Sequence, residues 1–241
     1  MELHVKGTKK EISRYVFCPG SQDRARRIAV HFENPVTVSE ERGIVVYSGT
    51  YEGIFMTSCG TGMGGPVTAI ACEELAHLGA DTFIRVGSCG VLQEGQGPGD
   101  IIIASGTFRA GGTGNNYLPL AFPAVPTFEV TRELVRAAER LDMPVRIGVG
   151  IAGDSFYTLK DSDDYAAVKR AGGLFIEMES DTLFIVGQLR GWRTGALFTS
   201  DGAPGKVKPA WAEEAYLAGE KQMRQIALRA MLAIAQKDQL I

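Results

Sequence analysis

The sequence predicts an α/β fold, a single domain over residues 1–241 with a mixed central β-sheet flanked by helices. Three observations predict it. β-rich segments alternate with helical ones along the chain. Several predicted strands end in glycine-rich turns, and ligands in α/β sheets bind beyond the carboxyl ends of the strands. No repeat, low-complexity segment or linker interrupts the 241 residues, a length one α/β domain can reach.

The elements follow in order. Residues 15–18 form a short apolar run ended by Pro19-Gly20, which reads as a buried strand and a turn. Ser21 then N-caps a helix carrying Arg24, Ile28 and Phe32. Residues 44–48 and 53–58 read as a hairpin with its turn around Gly49 and Gly53. After a glycine cluster at 60–65, residues 67–78 are helical, with Val67, Ile70, Ala71 and Leu75 on one face. Residues 82–86 form a strand that ends at Gly87-Ser88-Cys89-Gly90, and residues 100–108 form another. A helix at 130–141 precedes a strand at 145–152. A helix starting near Met178 leads to a strand at 194–199 that ends at Ser200-Asp201-Gly202. Residues 202–210 read as a mobile loop. Met223, Ile226, Ala227, Ala230, Met231 and Ile234 then mark a long amphipathic helix.

Composition excludes several classes. A formal net charge of -3 leaves no basic field for nucleic acid or anionic membrane, so any phosphate site must be built locally from a few arginines. Cys18, Cys59, Cys72 and Cys89 have neither C-x-x-C spacing nor a nearby His, so no metal site is expected and they read as reduced thiols. The N-terminus lacks a signal-like apolar core, and no window approaches the ~18 apolar residues of a membrane span. The expectation is a cytoplasmic protein.

Gly60, Gly62 and Gly65 satisfy G-x-G-x-x-G, with Asp81 about twenty residues on. The acid of a dinucleotide site stands at the far end of the next strand, whereas Asp81 stands before residues 82–86. A tight turn that lets a helix pack closely fits better.

Arg85 lies inside an apolar strand, Thr82-Phe83-Ile84-Arg85-Val86-Gly87. A buried arginine must face an anion or a carboxylate. With the amides and hydroxyl of Gly87-Ser88-Cys89-Gly90, and Arg24 after its own Pro-Gly turn, it can form a phosphate pocket. A structural ion pair for Arg85 and a solvated Arg24 are the alternatives.

Residues 19–24, the Gly60–Pro66 turn, residues 83–90 and Glu177-Met178-Glu179 together resemble the hexameric nucleoside phosphorylases, in order and spacing. That family includes purine nucleoside, uridine and methylthioadenosine phosphorylases, and the resemblance runs from about His4 to the C-terminal helix. It implies the nucleoside phosphorylase fold and a glycosyltransferase that splits a nucleoside with phosphate into free base and ribose 1-phosphate. Gly20, Arg24, Arg85 and Ser88 match its phosphate ligands. Arg42 and His4 match residues given to a neighbouring subunit, for phosphate and the ribose 5′-hydroxyl respectively. The family usually has Gly-Asp-Pro where this chain has Gly20-Ser21-Gln22. Glu177-Met178-Glu179 would begin a helix. Because glutamates two apart cannot share a helix face, they should do different work, Glu179 holding the ribose hydroxyls and Met178 packing on the sugar. Two acids merely favouring the helix dipole are the plainer reading. Phe156 and Tyr157 match the aromatic segment of the nucleoside pocket, though alone they would read as core.

Uridine phosphorylases carry a Gln and an Arg after that segment. Here stand Lys160-Asp161-Ser162-Asp163. Purine-specific members carry an aspartate after the strand near the C-terminus, where this chain has Ser200-Asp201. The context through Pro204 and Trp211 looks most like the purine enzymes of apicomplexan parasites. A purine can be protonated at N7 as it leaves, so Asp201 is the candidate general acid, given a pKa raised by burial or a nearby carboxylate. The main expectation is therefore a purine nucleoside phosphorylase of nucleoside salvage, with inorganic phosphate as co-substrate and no cofactor, assembled as a dimer-based hexamer. The alternatives are uridine or methylthioadenosine phosphorylase, a hydrolase of the same fold, or a non-catalytic nucleoside-binding protein.

Overall fold

The computed structural model describes residues 2–203 and 210–240. Most of the predicted loop at 202–210 lies outside them. Among the described residues, nine strands join in one mixed sheet flanked by helices.

The chain starts with β1 (Tyr15–Cys18) and α1 (Gln22–Ala29). Ser21 caps α1 by accepting from the Arg24 amide at 3.3 Å, and Phe32 falls beyond the helix end but stays in the core. β2 (Glu33–Glu41) was not expected. Its Pro35 and three glutamates disguise it, and a largely exposed edge strand tolerates both. β3 (Ile44–Tyr51) and β4 (Ile54–Gly60) form the predicted hairpin. Its turn is Glu52-Gly53 alone, both with positive φ, as the two-residue turn of a twisted hairpin requires. Gly49 lies within β3 instead, because a Cβ there would stand 2.8 Å from the Phe32 Cβ.

Gly60–Gly65 leads into α2 (Gly65–His77). A Cβ on Gly65 would stand 2.6 Å from Thr182 Oγ1, so this glycine serves helix packing. β5 (Thr82–Val91) and β6 (Ile101–Ala110) follow. β5 does not end at Val86. It runs through Gly87-Ser88-Cys89-Gly90, whose expected turn is therefore corrected to strand. The physical reason is pairing: β5 lies parallel to β1 and β9 (Arg193–Ser200), and its tip pairs with β8 (Phe175–Glu177). Gly87 belongs to close packing, since its Cβ would stand 2.8 Å from the Phe198 ring.

The remaining elements are α3 (Phe128–Arg140), β7 (Arg146–Gly153), α4 (Asp163–Arg170), α5 (Ser180–Arg190) and α6 (Ala210–Asp238). α4 and β8 were not anticipated. β9 pairs with both β5 and β6, β6 with β7, β7 with β8, and β8 with β5. These five strands thus close on themselves, and β5 carries the closed part into the open part, β2-β3-β4-β1.

Alternation along the strands fills both faces. Tyr15, Phe17, Ile84 and Val86 join a core with α1, α3 and α6, including Ile28, Leu134, Met223 and Ile234. Val16, Cys18 and Phe83 join a core with α2 and α5, including Leu75 and Phe184. The four cysteines are buried and free, and none of the described helices is long and apolar enough to cross a membrane.

Closure leaves little room on β7. A Cβ on Gly150 would stand 2.4 Å from the buried Phe175 ring. Gly150→Ala is expected to destabilise by ~1–3 kcal/mol through overpacking, read as a lower urea midpoint with an unchanged m-value.

Candidate functional site

The ends of β1, β5, β8 and β9 open on a pocket of about 460 Å³. Its lining includes Gly20, Arg24, Arg85, Ser88, Phe156, Glu177, Met178, Glu179 and Asp201. Nine of the twelve expected site residues are thus brought together. His4, Arg42 and Tyr157 are not among them.

Arg85 organises the pocket. Its Nε donates to Glu177 Oε2 at 2.8 Å, and its Nη2 pairs with Glu179 Oε2. The whole group is buried, and Nη1 has no protein partner. A Cβ on Gly20 would stand 3.7 Å from that nitrogen, so the glycine turn leaves it approachable. Of the two alternatives read from sequence, the ion pair is formed, and one guanidinium nitrogen is left over beside the Gly20 turn.

Glu177-Met178-Glu179 does not begin a helix. Glu177 ends β8 and Glu179 is the N-cap position of α5. Glu177 closes the strand and Glu179 follows in a bend before the helix, and in that arrangement both carboxylates reach one arginine. The helix-face argument fails here for that reason. Both Glu177 oxygens are already taken: Oε1 accepts from the Ser180 amide and hydroxyl, Oε2 from Arg85 and the Glu179 amide. Glu177, on the pocket lining, is thus a brace for Arg85 and the start of α5. Glu179 accepts from the Gly64 amide at 2.5 Å, and burial, reinforced by Glu177, pushes its carboxyl above the usual range against the pull of Arg85.

Arg24 is buried rather than solvated. It donates to Glu220 Oε1 (3.2 Å), the Val86 carbonyl (3.3 Å) and Tyr216 Oη (2.6 Å). Glu220, on α6, is also paired with Arg27 and Arg224. Sequence reading missed Glu220, yet a signal existed: it continues the buried stripe through Met223 and Ala227 at helical spacing, an acid among apolar positions.

Phe156 and Tyr157 are exposed, 69% and 80%, so they are not core. Their rings meet edge to face at 5.2 Å, with Phe156 on the pocket wall. Asp201 also lines the pocket but is exposed, and its amide donates to Cys89 O at 2.8 Å. Arg42 is exposed at the β2–β3 turn, where Gln22 of the pocket wall donates to Gly43 O at 2.5 Å. His4 is held by Glu74 of α2, at 2.7 Å from Nδ1. Lys160 contacts Asp161, while Ser162 caps α4. The described residues hold no group of three or more His, Cys, Asp or Glu suited to a metal ion.

A second missed residue is Asp181, in the first turn of α5. It is buried, and its Oδ2 has no protein partner. Burial and the neighbouring Glu177 push its carboxyl up to about 7.

Comparison with known proteins agrees with this architecture. The sequence profile of the Phosphorylase superfamily matches residues 14–236. A uridine phosphorylase of Treponema pallidum is 40% identical over 81% of this chain and 80% of its own. A guanosine phosphorylase of Halorubrum lacusprofundi is 36% identical over 83% and 82%. The crystal structure of uridine phosphorylase from Vibrio fischeri superposes with a TM-score of 0.91 at 31% identity, covering 96% of this chain and 97% of that one.

Asp181 makes stability depend on pH. Its folded pKa of about 7 lies above the ordinary 3.8, so its contribution is intact below pH 4 and is lost as pH rises through 7. Asp181→Asn is therefore expected to stabilise more at pH 8 than at pH 5, by up to a few kcal/mol (~1.4 kcal/mol per pKa unit). Thermal melts of both proteins at the two pH values measure this. An equal Tm difference at both would contradict it.

Proposed function

This chain belongs to the Phosphorylase superfamily as a nucleoside phosphorylase, and we propose that uridine is its substrate, cleaved by phosphate to uracil and ribose 1-phosphate. This replaces the purine expectation as the leading reading, because relatives named uridine phosphorylase recur at 40%, 34% and 33% identity. The observation that carries the phosphorolytic chemistry is the buried Arg85 Nη1, unpartnered beside the Gly20 turn and one side chain away from Glu179.

In this reading phosphate sits among Gly20, Arg24, Arg85 and Ser88, with inorganic phosphate as co-substrate and no cofactor. Ribose lies on Glu179 and Met178, and the base lies against Phe156. A phosphate oxygen bonds to the ribosyl C1′ as the glycosidic bond breaks, and its electron pair leaves with the base. Arginine charge fixed in a buried site holds the anionic nucleophile in line without reorganisation. His4 and Arg42 act, in the same reading, on a neighbouring subunit of a dimer-based hexamer; neither is among its own chain's pocket-lining residues.

A second reading, a purine nucleoside, rests on the guanosine phosphorylase relative and on Asp201 at the pocket wall. It gains from the absence of a Gln and Arg pair after Phe156-Tyr157, where Ser162 serves as a helix cap instead. Methylthioadenosine has no comparable support.

Turnover of a nucleoside panel with and without phosphate tests the proposal. The expected result is strictly phosphate-dependent cleavage, fastest with uridine. Cleavage without phosphate would indicate a hydrolase, and binding without turnover a non-catalytic protein. Guanosine or inosine far ahead of uridine would establish the second reading. In that case Asp201→Asn should bind substrate normally and lose about 10²-fold in turnover, since an amide donates a hydrogen bond but no proton.

The phosphate assignment has its own variant. Arg85→Ala would leave two buried carboxylates unpaired, a loss of ~3–5 kcal/mol that risks unfolding. Arg85→Lys keeps the charge and removes the fork. It is expected to raise KM for phosphate by at least about 10-fold, as loss of a charge-assisted hydrogen bond does. Unchanged phosphate dependence in a folded variant would refute the role.

A further inference from the structure

Asp181 is not among the pocket-lining residues, yet it lies under the segment that carries the pocket's aromatic wall. Three pieces of chain meet there. Asp154 directly follows β7, and its Oδ2 accepts from the Gly112 amide at 2.7 Å. Gly111 follows β6. Asp181 stands in α5, with Oδ1 accepting from the Thr182 amide at 2.5 Å and from the Thr182 hydroxyl at 3.2 Å. A Cβ on Gly111 would stand 3.0 Å from Asp181 Oδ2 and 3.1 Å from Asp154 Oδ1. The two oxygens therefore converge on one glycine, at most about 6 Å apart.

We propose that Asp181 is a positioning residue for the nucleoside, sharing one proton with Asp154 and thereby holding the Ser155–Tyr157 segment in place over the pocket. This rests on the reading of the pocket as a nucleoside site.

Burial and charge both favour a proton on Asp181. Burial acts on Asp181 first and Glu177 at the end of β8 next, Asp154 at the end of β7 adds to them, and the Thr182 amide and hydroxyl oppose. Arg85 is committed to Glu177 and Glu179. Arg109, on β6, spends its guanidinium on the carbonyls of Pro119, Phe122 and Leu118 and on Asn115. A buried carboxyl that faces a second carboxylate favours its protonated form. The buried member is the one held protonated, its carboxyl pushed up to about 7. Its Oδ2–H then donates toward Asp154, directly after a small rotation or through one water. Loss of the proton turns the attraction into repulsion.

Asp154 is a natural lever for the aromatic wall. Phe156 and Tyr157 are exposed and packed on each other, and Ser155 bonds to Thr158 within the same turn. The Asp154 carboxylate is the link from this segment to the Gly111-Gly112 backbone.

Two measurements on the full chain test the proposal. Hydrogen exchange of peptides covering 154–158, corrected for intrinsic rates, is expected to show protection at pH 6 that falls by pH 8. In Asp181→Asn, whose amide donates at every pH, protection is expected to stay level. Calorimetric binding of uridine and guanosine without phosphate, whose own second proton titrates in this range, is expected to weaken about fivefold from pH 6 to pH 8. That is the loss of roughly one hydrogen bond, and the variant should show none of it. Asp154→Asn, at an exposed position, is the second variant and should also lose the pH dependence. Wild-type protection that is equal at both pH values, or falls in parallel in the variants, overturns the shared proton. Protection that follows pH while neither nucleoside binds at any pH overturns the nucleoside reading and leaves the shared proton standing.

Discussion

The buried contact of Arg85 with Glu177 and Glu179 is the constraint on which the rest of the site depends. It joins β5 to the β8–α5 junction at the place where β5 passes from the open to the closed part of the sheet. A guanidinium presents a rigid fork. Two of its nitrogens are spent on carboxylates, which neutralises the charge enough to bury it. The third is left toward the Gly20 turn. Burial that would be unfavourable for any one of the three groups is stable for the set, because each oxygen of Glu177 also meets a backbone or hydroxyl donor.

The same logic recurs at Arg24. Glu220 lies at the centre of three arginines, and α6 thereby reaches from the core to the pocket rim. An arginine aimed by a buried acid and a tyrosine hydroxyl loses little further freedom when an anion arrives. Both pocket arginines are thus oriented by protein carboxylates, one from β8 and α5, the other from α6.

Much of this was legible in the sequence. A lone charge in Thr82–Gly87 marked Arg85, and Pro19-Gly20-Ser21 marked a capped helix at the pocket. What was not legible arose from tertiary pairing. Gly87 and Gly90 look like turn residues, but they are flat places where the Phe198 ring and the β8 backbone approach. Glu177 and Glu179 look like the first turn of a helix, because Ser180 onward is helical. The pairing of Phe175–Glu177 with β7 makes Glu177 a strand end instead, and Glu179 stands in the bend before α5. Asp181 stands between Ser180 and Thr182 at the start of a helix buried on nearly every face, where local pattern says nothing of which carboxylate stands opposite. Phe156 and Tyr157 show the reverse error. Aromatic character suggests burial, and their exposure follows from a segment that ends at a pocket mouth.

Closure of the sheet has one further consequence. An open nine-stranded sheet would offer two rows of unpaired backbone groups as templates for aggregation. Here β9 returns to β5, so β2 is the one free margin among the described strands. That margin carries Glu33, Pro35, Glu40 and Glu41, its register shifts twice, and Asn34 stands at positive φ. A second chain adding there would meet a missing amide donor, like charges and a broken pleat. The strand least legible in the sequence is therefore the one whose irregular composition keeps copies of this protein from stacking edge to edge.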